Sequence, residues 1–294
     1  MTIPTSVPGR LRPASPRFTL STDERLPGAA AAFFGAPLDV TTSFRSGTGA
    51  GPGAIRRLSD SLETYSPALD RDLEDLALVD LGDLDLGGDA PEEAVDAIAD
   101  AMEEAAGAGR LPVMLGGEHT VSLGGFRGIR RVHPDAMLVQ LDAHADLRTS
   151  YEGRPLTHAT WAYHAATEFG FDSLVQLGIR SGAREEWAHT RGTACTSPDL
   201  ELPEAIRARL SDRPVYLTVD IDVLDPSAAP GTGCPEPGGA TFAELEAFLH
   251  GLAGLRVVAV DVVEVAPALD PSEITAAAAA KIVRDAVLMF GAGE

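Results

Sequence analysis

A chain of 294 residues has room for one large or two ordinary domains, and its 45% apolar residues supply a sizeable core, which excludes wholesale disorder. Lys and Arg number 23 against 44 Asp and Glu, a formal net charge of −21, so the summed field repels phosphates and argues against nucleic-acid and anionic-membrane partners. Cationic small molecules or metal ions suit this balance, as does a plain solubility or salt adaptation. Residues 1–27 carry Pro4, Pro8, Pro13 and Pro16 with interspersed Arg and no apolar h-region. They read as a loose arm rather than a signal peptide, either an inter-subunit contact or a disordered tail. A single domain is expected over 28–294. Runs rich in Val, Leu and Ile at 30–35, 76–81, 112–115, 136–141, 173–177, 215–219 and 256–260 alternate with helical periodicity at 91–108, 202–210, 242–253 and 274–289. Pro91, Glu92 and Glu93 suit the positive end of a helix dipole, and Gly107 and Gly109 stop that helix. The alternation predicts an α/β fold, a largely parallel sheet covered by helices on both faces. No run reaches the roughly 18 apolar residues of a membrane span. Cys195 and Cys234 form no disulfide framework, so the chain reads as cytoplasmic with free thiols.

Four of the apolar runs lead, at their C-terminal side, into dense polar or glycine clusters. Leu115 precedes Gly116-Gly117-Glu118-His119, and Leu141 precedes Asp142-Ala143-His144-Ala145-Asp146. Val219 precedes Asp220-Ile221-Asp222, and Val260 precedes Asp261-Val262-Val263-Glu264. In an open parallel sheet the strand C-termini share the edge where ligands bind. Four clusters far apart in sequence are therefore expected to converge on one cleft.

Alternate residues of an extended backbone face the same side, so Asp142, His144 and Asp146 can aim at one point, and Asp220 with Asp222 repeats the pattern. With His119 these make six potential ligands, too many for one tetrahedral zinc and too rich in hard oxygen for a thiolate site. They suit a pair of Mn²⁺-like ions about 3.5–4 Å apart. Each piece has a plainer reading. An Asp-x-Asp at a strand end is more often a turn or cap device, and a lone His119 is more often a hydrogen-bonded loop histidine. An EF-hand reading of 220–231 fails, because its sixth position is Asp225 and its twelfth Gly231. The coincidence of the three clusters favours metal. A two-metal site supplies hydroxide near neutral pH for hydrolysis at carbon or phosphorus. Apart from Arg148, the clusters offer acid rather than base, which favours a cationic electrophile such as a guanidinium, with Glu264 as its bidentate partner.

These residues resemble the ureohydrolases, the family of arginase, agmatinase and their relatives. The resemblance spans nearly all of the chain beyond the arm. It rests on Gly116-Gly117-Glu118-His119-Thr120, Asp142-Ala-His144-Ala-Asp146, Asp220-Ile-Asp222-Val-Leu-Asp225-Pro226 with Ala229-Pro230-Gly231-Thr232-Gly233, and Asp261-Val-Val-Glu264-Val-Ala-Pro267. The early loop from Thr42-Ser43-Phe44-Arg45 to Gly51-Pro52-Gly53-Ala54-Ile55-Arg56 is similar too. The resemblance implies a three-layer α/β/α fold, two Mn²⁺ per subunit, and hydrolysis of a guanidino compound to an amine and urea. It implies that His119 and Asp146 hold one ion, His144 and Asp222 the other, and that Asp142 and Asp220 bridge. It further implies that a metal-bridging hydroxide, held by Asp146, attacks the guanidinium carbon. Glu264 would orient the substrate and His158 would shuttle protons; as a bare residue His158 reads as a surface or cap histidine.

The stretch Asp146-Leu147-Arg148-Thr149-Ser150-Tyr151-Glu152-Gly153, with Thr157-His158-Ala159 and Gly178-Ile179-Arg180-Ser181-Gly182, resembles the agmatinase branch. Arg148 stands where arginases carry an Asn that holds the substrate's amino-acid end. Agmatine, cleaved to putrescine and urea, is the expected substrate, with N1-aminopropylagmatine, guanidinobutyrate and a non-catalytic metal-binding homologue as alternatives. The chain departs from the family at Gly49-Ala50-Gly51-Pro52, which lacks an Arg-Phe pair, and at Ala159, where many members have Gly. Both changes bear on the substrate tail. The resemblance also implies a homo-oligomer, hexamer or trimer. Cys195 and Cys234 read as bystanders.

Overall fold

The computed structural model describes residues 10–24, 26, 28–107, 109–190 and 195–291. Its strands are β1 (Leu11–Arg12), β2 (Ala31–Ala36), β3 (Tyr65–Ser66), β4 (Arg71–Asp72), β5 (Leu78–Leu84), β6 (Leu111–Gly116), β7 (Met137–Leu141), β8 (Leu174–Leu177), β9 (Cys195–Ser197), β10 (Val215–Asp220) and β11 (Val257–Val263). The helices are α1 (Gly51–Ser59), α2 (Pro91–Gly107), α3 (Val121–Val132), α4 (Trp161–Phe169), α5 (Glu186–Thr190), α6 (Glu204–Ser211), α7 (Phe242–His250) and α8 (Ile274–Phe290). Nine strands form one sheet in the order β1-β5-β2-β6-β11-β10-β7-β8-β9, while β3 and β4 make a separate small ribbon. Every pairing in the large sheet is parallel except that of β1 with β5.

The central strands of this sheet are buried on both faces, which is why they read as continuous apolar runs rather than as alternation. One face packs against α1, α7 and α8 through Ile55, Leu245 and Val283; the other packs against α2, α3 and α4 through Ile98, Phe126 and Trp161. The three-layer α/β/α arrangement expected from the resemblance is the one found. Among the described residues, no helix is long and apolar enough to cross a membrane.

Most expected elements appear with ends shifted by a few residues. The last strand runs three residues further than expected, to Val263, which carries the chain directly to Glu264. Helices α1, α3 and α4 were not legible as periodic segments. For α3 the reason is its glycines. A Cβ on Gly124 would come within 2.6 Å of the Val95 carbonyl, and one on Gly128 within 2.5 Å of the Ala99 carbonyl. Close contact with α2 demands residues of poor intrinsic helix propensity. The N-terminal segment is engaged from Arg10 onward, although nothing in its periodicity signals this. Leu11 and Arg12 pair with β5, and Phe18 is buried and stacked on Phe33. The main-chain N–H of Phe18 donates to Asp80 Oδ2 at 2.9 Å, and Asp80 is itself held by the buried Arg56.

Candidate metal centre and active site

The strands that carry the four polar clusters, β6, β11, β10 and β7, are consecutive in the sheet and occupy its middle. Their parallel register puts the four C-terminal ends side by side, so the clusters meet. The His119 Nδ1 atom lies 2.9 Å from Asp142 Oδ2, 3.0 Å from Asp220 Oδ2 and 3.7 Å from Asp146 Oδ2. His144 Nδ1 lies 2.9 Å from Asp222 Oδ2 and 3.7 Å from Asp142 Oδ1. Two groups of potential ligands result, His119–Asp142–Asp220 and Asp142–His144–Asp222, and they share Asp142.

Hydrogen bonds away from the centre fix how each group points. His119 Nε2 lies 2.9 Å from Thr218 Oγ1, and with the hydrogen on Nε2 the Nδ1 lone pair faces the carboxylates as a ligand atom. The side-chain amide of Gln140 donates to Asp142 Oδ2 at 2.8 Å, and Gln176 holds Gln140 in turn. Backbone N–H groups of His144, Ala143 and Asp222 donate to Asp142, Asp222 and Asp220 respectively. Asp146 and Glu264 adopt left-handed backbone conformations, with φ of 52° and 63°. Such geometry in a non-glycine residue carries strain and recurs where a side chain must be aimed.

The electrostatics call for a cation. Burial pushes the Asp146 and Asp220 carboxyls well above the usual range, and the charges on Asp142 and Asp222, respectively, add to it. Among the described residues no Lys or Arg pairs with any of the four aspartates. Four buried carboxylates and two correctly oriented imidazoles therefore fit a pair of hard divalent ions, which would supply the missing positive charge.

Glu264, 8% exposed, lines the cleft and accepts the His119 backbone N–H at 2.7 Å. His158 also lines the cleft but touches none of the six potential ligands. Its Nδ1 bonds the Thr41 carbonyl at 2.7 Å, and its Nε2 lies 3.2 Å from Ser43 Oγ. Arg148 sits on the wall with Nε 3.4 Å from Glu186 Oε2 and its guanidinium over the Tyr151 ring. Cys234 lines the same cleft, 3.9 Å from Ser43, and burial pushes its thiol up, away from nucleophilic character. The Cys195 side chain lies outside the described residues. Trp161, Gln140 and Thr218 carry no sequence motif, and Glu118 stands inside one without a role of its own there; each acts by touching a neighbouring site residue.

A model of the arginase family matches residues 29–289. The chain belongs to the arginase family. It is 43% identical over 267 residues to the agmatinase of Bacillus subtilis, covering 89% of this chain and 92% of that one. It is 36% identical to the guanidinobutyrase of Pseudomonas aeruginosa, over 86% of this chain and 84% of that protein. The solved structure of proclavaminate amidino hydrolase from Streptomyces clavuligerus superposes with a TM-score of 0.84 at 31% identity, covering 94% of this chain and 97% of that one. In this arginase-family chain, the ends of the four central strands thus carry both the family's motifs and the buried acidic centre.

Proposed function

We propose that this chain hydrolyses agmatine to putrescine and urea with two Mn²⁺ ions. The observation that carries the reading is the sharing of Asp142 between the His119 and His144 groups, brought together at the C-terminal ends of the central strands. On this reading His119 and Asp146 would hold one ion and His144 and Asp222 the other, with Asp142 and Asp220 available to both. When bound, the ions activate water for attack at carbon near neutral pH.

The chain's own residues do the rest. Glu264 pairs with the planar guanidinium in bidentate fashion and fixes the electrophilic carbon over the acidic centre. Asp146, immobilised by Trp161, orients the attacking water. Oxygen adds to the guanidino carbon, the bond from that carbon to the alkyl-bearing nitrogen breaks, and the amine leaves with a proton. His158 holds that proton at Nε2. Burial pushes its imidazole below the ordinary value, which suits a group that must give the proton up.

Arg148 decides between substrate tails. Free, it would attract a carboxylate, but its guanidinium is engaged by the buried Glu186 and stacked on Tyr151. That supports an uncharged or cationic tail, hence agmatine. Guanidinobutyrate is the second reading, favoured by the presence of Arg148 on the cleft wall at all. The test is urea release by Mn²⁺-loaded protein from agmatine, N1-aminopropylagmatine, guanidinobutyrate and arginine. Preference for agmatine is expected. Preference for guanidinobutyrate would recast Arg148 as an anchor, and silence on all four with manganese bound would favour a non-catalytic homologue.

A further inference from the structure

The strongest unexplained feature near the cleft is a buried carboxylate that touches neither substrate space nor any potential metal ligand's side chain. Glu118 is 0% exposed, and among the described residues no Lys or Arg pairs with it. Its oxygens accept four hydrogen bonds. Oε2 receives the backbone N–H groups of Val40 and Thr41, both at 2.7 Å. Oε1 receives the hydroxyls of Thr41 at 2.5 Å and Thr120 at 2.7 Å. The two backbone N–H groups can only donate and the two hydroxyls donate here as well, a set that suits a carboxylate. A buried polar group must be hydrogen-bonded, and three of these four bonds hold one short segment, Val40-Thr41.

Thr41 passes the constraint on. Its hydroxyl, already donating to Glu118, accepts the His158 backbone N–H at 3.0 Å. Its carbonyl accepts the His158 ring at Nδ1, 2.7 Å away. A carbonyl can only accept, so Nδ1 carries the hydrogen and Nε2 keeps its lone pair in the neutral ring. Nε2 is the ring atom beside Ser43, on the cleft side.

We infer that Glu118 is a positioning residue: by clamping Thr41 it fixes the orientation and tautomer of His158, leaving Nε2 as the atom that takes and gives a proton. The catalytic consequence rests on the role proposed above for His158, whereas the tautomer does not. Loss of the Glu118 carboxylate weakens the hold on Val40 and Thr41 and releases the Thr41 carbonyl, so the His158 ring is free to place its hydrogen on either nitrogen.

The test uses full-length protein: labelled with ¹⁵N-histidine and loaded with a diamagnetic divalent ion for the ring signals, and loaded with Mn²⁺ for kinetics. In the wild type the His158 ring signals, assigned by their loss in His158→Asn, should report the Nδ1–H form; in Glu118→Gln they should move toward a tautomer mixture. His158→Asn should lower kcat by about 10²-fold. Glu118→Gln should lower it by about 10-fold to 100-fold with manganese content unchanged. In the double variant, Glu118→Gln should cost nothing beyond His158→Asn. Thr41→Val should follow Glu118→Gln, and Thr41→Ser should retain wild-type behaviour; this pair carries the test if Glu118→Gln does not fold. An unchanged tautomer in Glu118→Gln, or losses that multiply in the double variant, overturns the inference. A shifted tautomer with normal turnover in His158→Asn leaves the positioning intact and overturns only the proton-carrier reading.

Discussion

Trp161 holds Asp146 and His119 together: its indole N–H donates to Asp146 Oδ2 at 2.9 Å while its ring stacks on the imidazole, centroids 4.4 Å apart. One buried aromatic residue at the start of α4 thus orients two potential ligands that come from different strand ends. Trp161→Phe keeps the stack and removes the donor. Affinity for the first manganese is expected to fall by about 10-fold to 100-fold. Calorimetric titration of the metal-free protein checks this; unchanged affinity would show that the backbone alone orients Asp146.

Glu264 gives the metal-free protein a pH dependence. Burial, reinforced by Glu118 and Asp222 against the opposing pull of the His119 N–H, raises its carboxyl from 4.5 to about 8. The folded chain then holds a proton that the unfolded chain has released, so this contribution is present below 4.5 and is lost as pH rises through about 8. Chemical denaturation of chelator-treated protein from about pH 5 to about pH 9 should show stability falling, and Glu264→Gln should flatten part of that slope. Binding of a guanidinium inhibitor to the wild type should strengthen over the same interval, because pairing needs the ionised carboxylate.

Glu186 decides what Arg148 can do. Its carboxylate accepts the Leu147 N–H at 2.9 Å and faces the Arg148 guanidinium. Glu186→Gln leaves Arg148 unneutralised. The ratio of kcat/KM for agmatine to that for guanidinobutyrate is expected to drop by about tenfold, or about 1.4 kcal/mol. Adding Arg148→Met should cancel the shift, and steady-state kinetics on the two substrates reads both outcomes.

Far from the cleft, Arg56 ties the N-terminal segment to the sheet. Buried within 1% exposure, it reaches Asp80 through Nε at 2.8 Å and Asp83 through Nη1 at 2.5 Å, while Asp80 also receives the Phe18 N–H. Arg56→Met leaves Asp80 uncompensated, and a loss of about 3–5 kcal/mol in unfolding free energy is expected. Adding Asp80→Asn should recover part of that loss in denaturant titrations.

Sequence by itself determined the class of fold and which residues of ligand type stand at its strand ends. Continuous apolar runs between helical segments can be satisfied only by a parallel sheet covered on both faces, and the runs predict it because burial on both sides removes any alternation. The six ligand-type residues and Glu264 were legible because they end those runs, where strand C-termini of a parallel sheet must share an edge. Strand order was not legible. That β6, β11, β10 and β7 are neighbours is what brings residues 119, 142, 220 and 264 together, and crossover connections of this length do not dictate which strands lie side by side. Nor were the supports. Trp161, Thr218 and Gln140 are ordinary residues, and Glu118 a motif member without a role, until tertiary contact gives each a partner, and α3 was hidden because its glycines answer to α2 rather than to its own helix. Local pattern fixes what a segment can be; packing decides what it touches, and in this cleft contact sets which nitrogen of each histidine faces the chemistry.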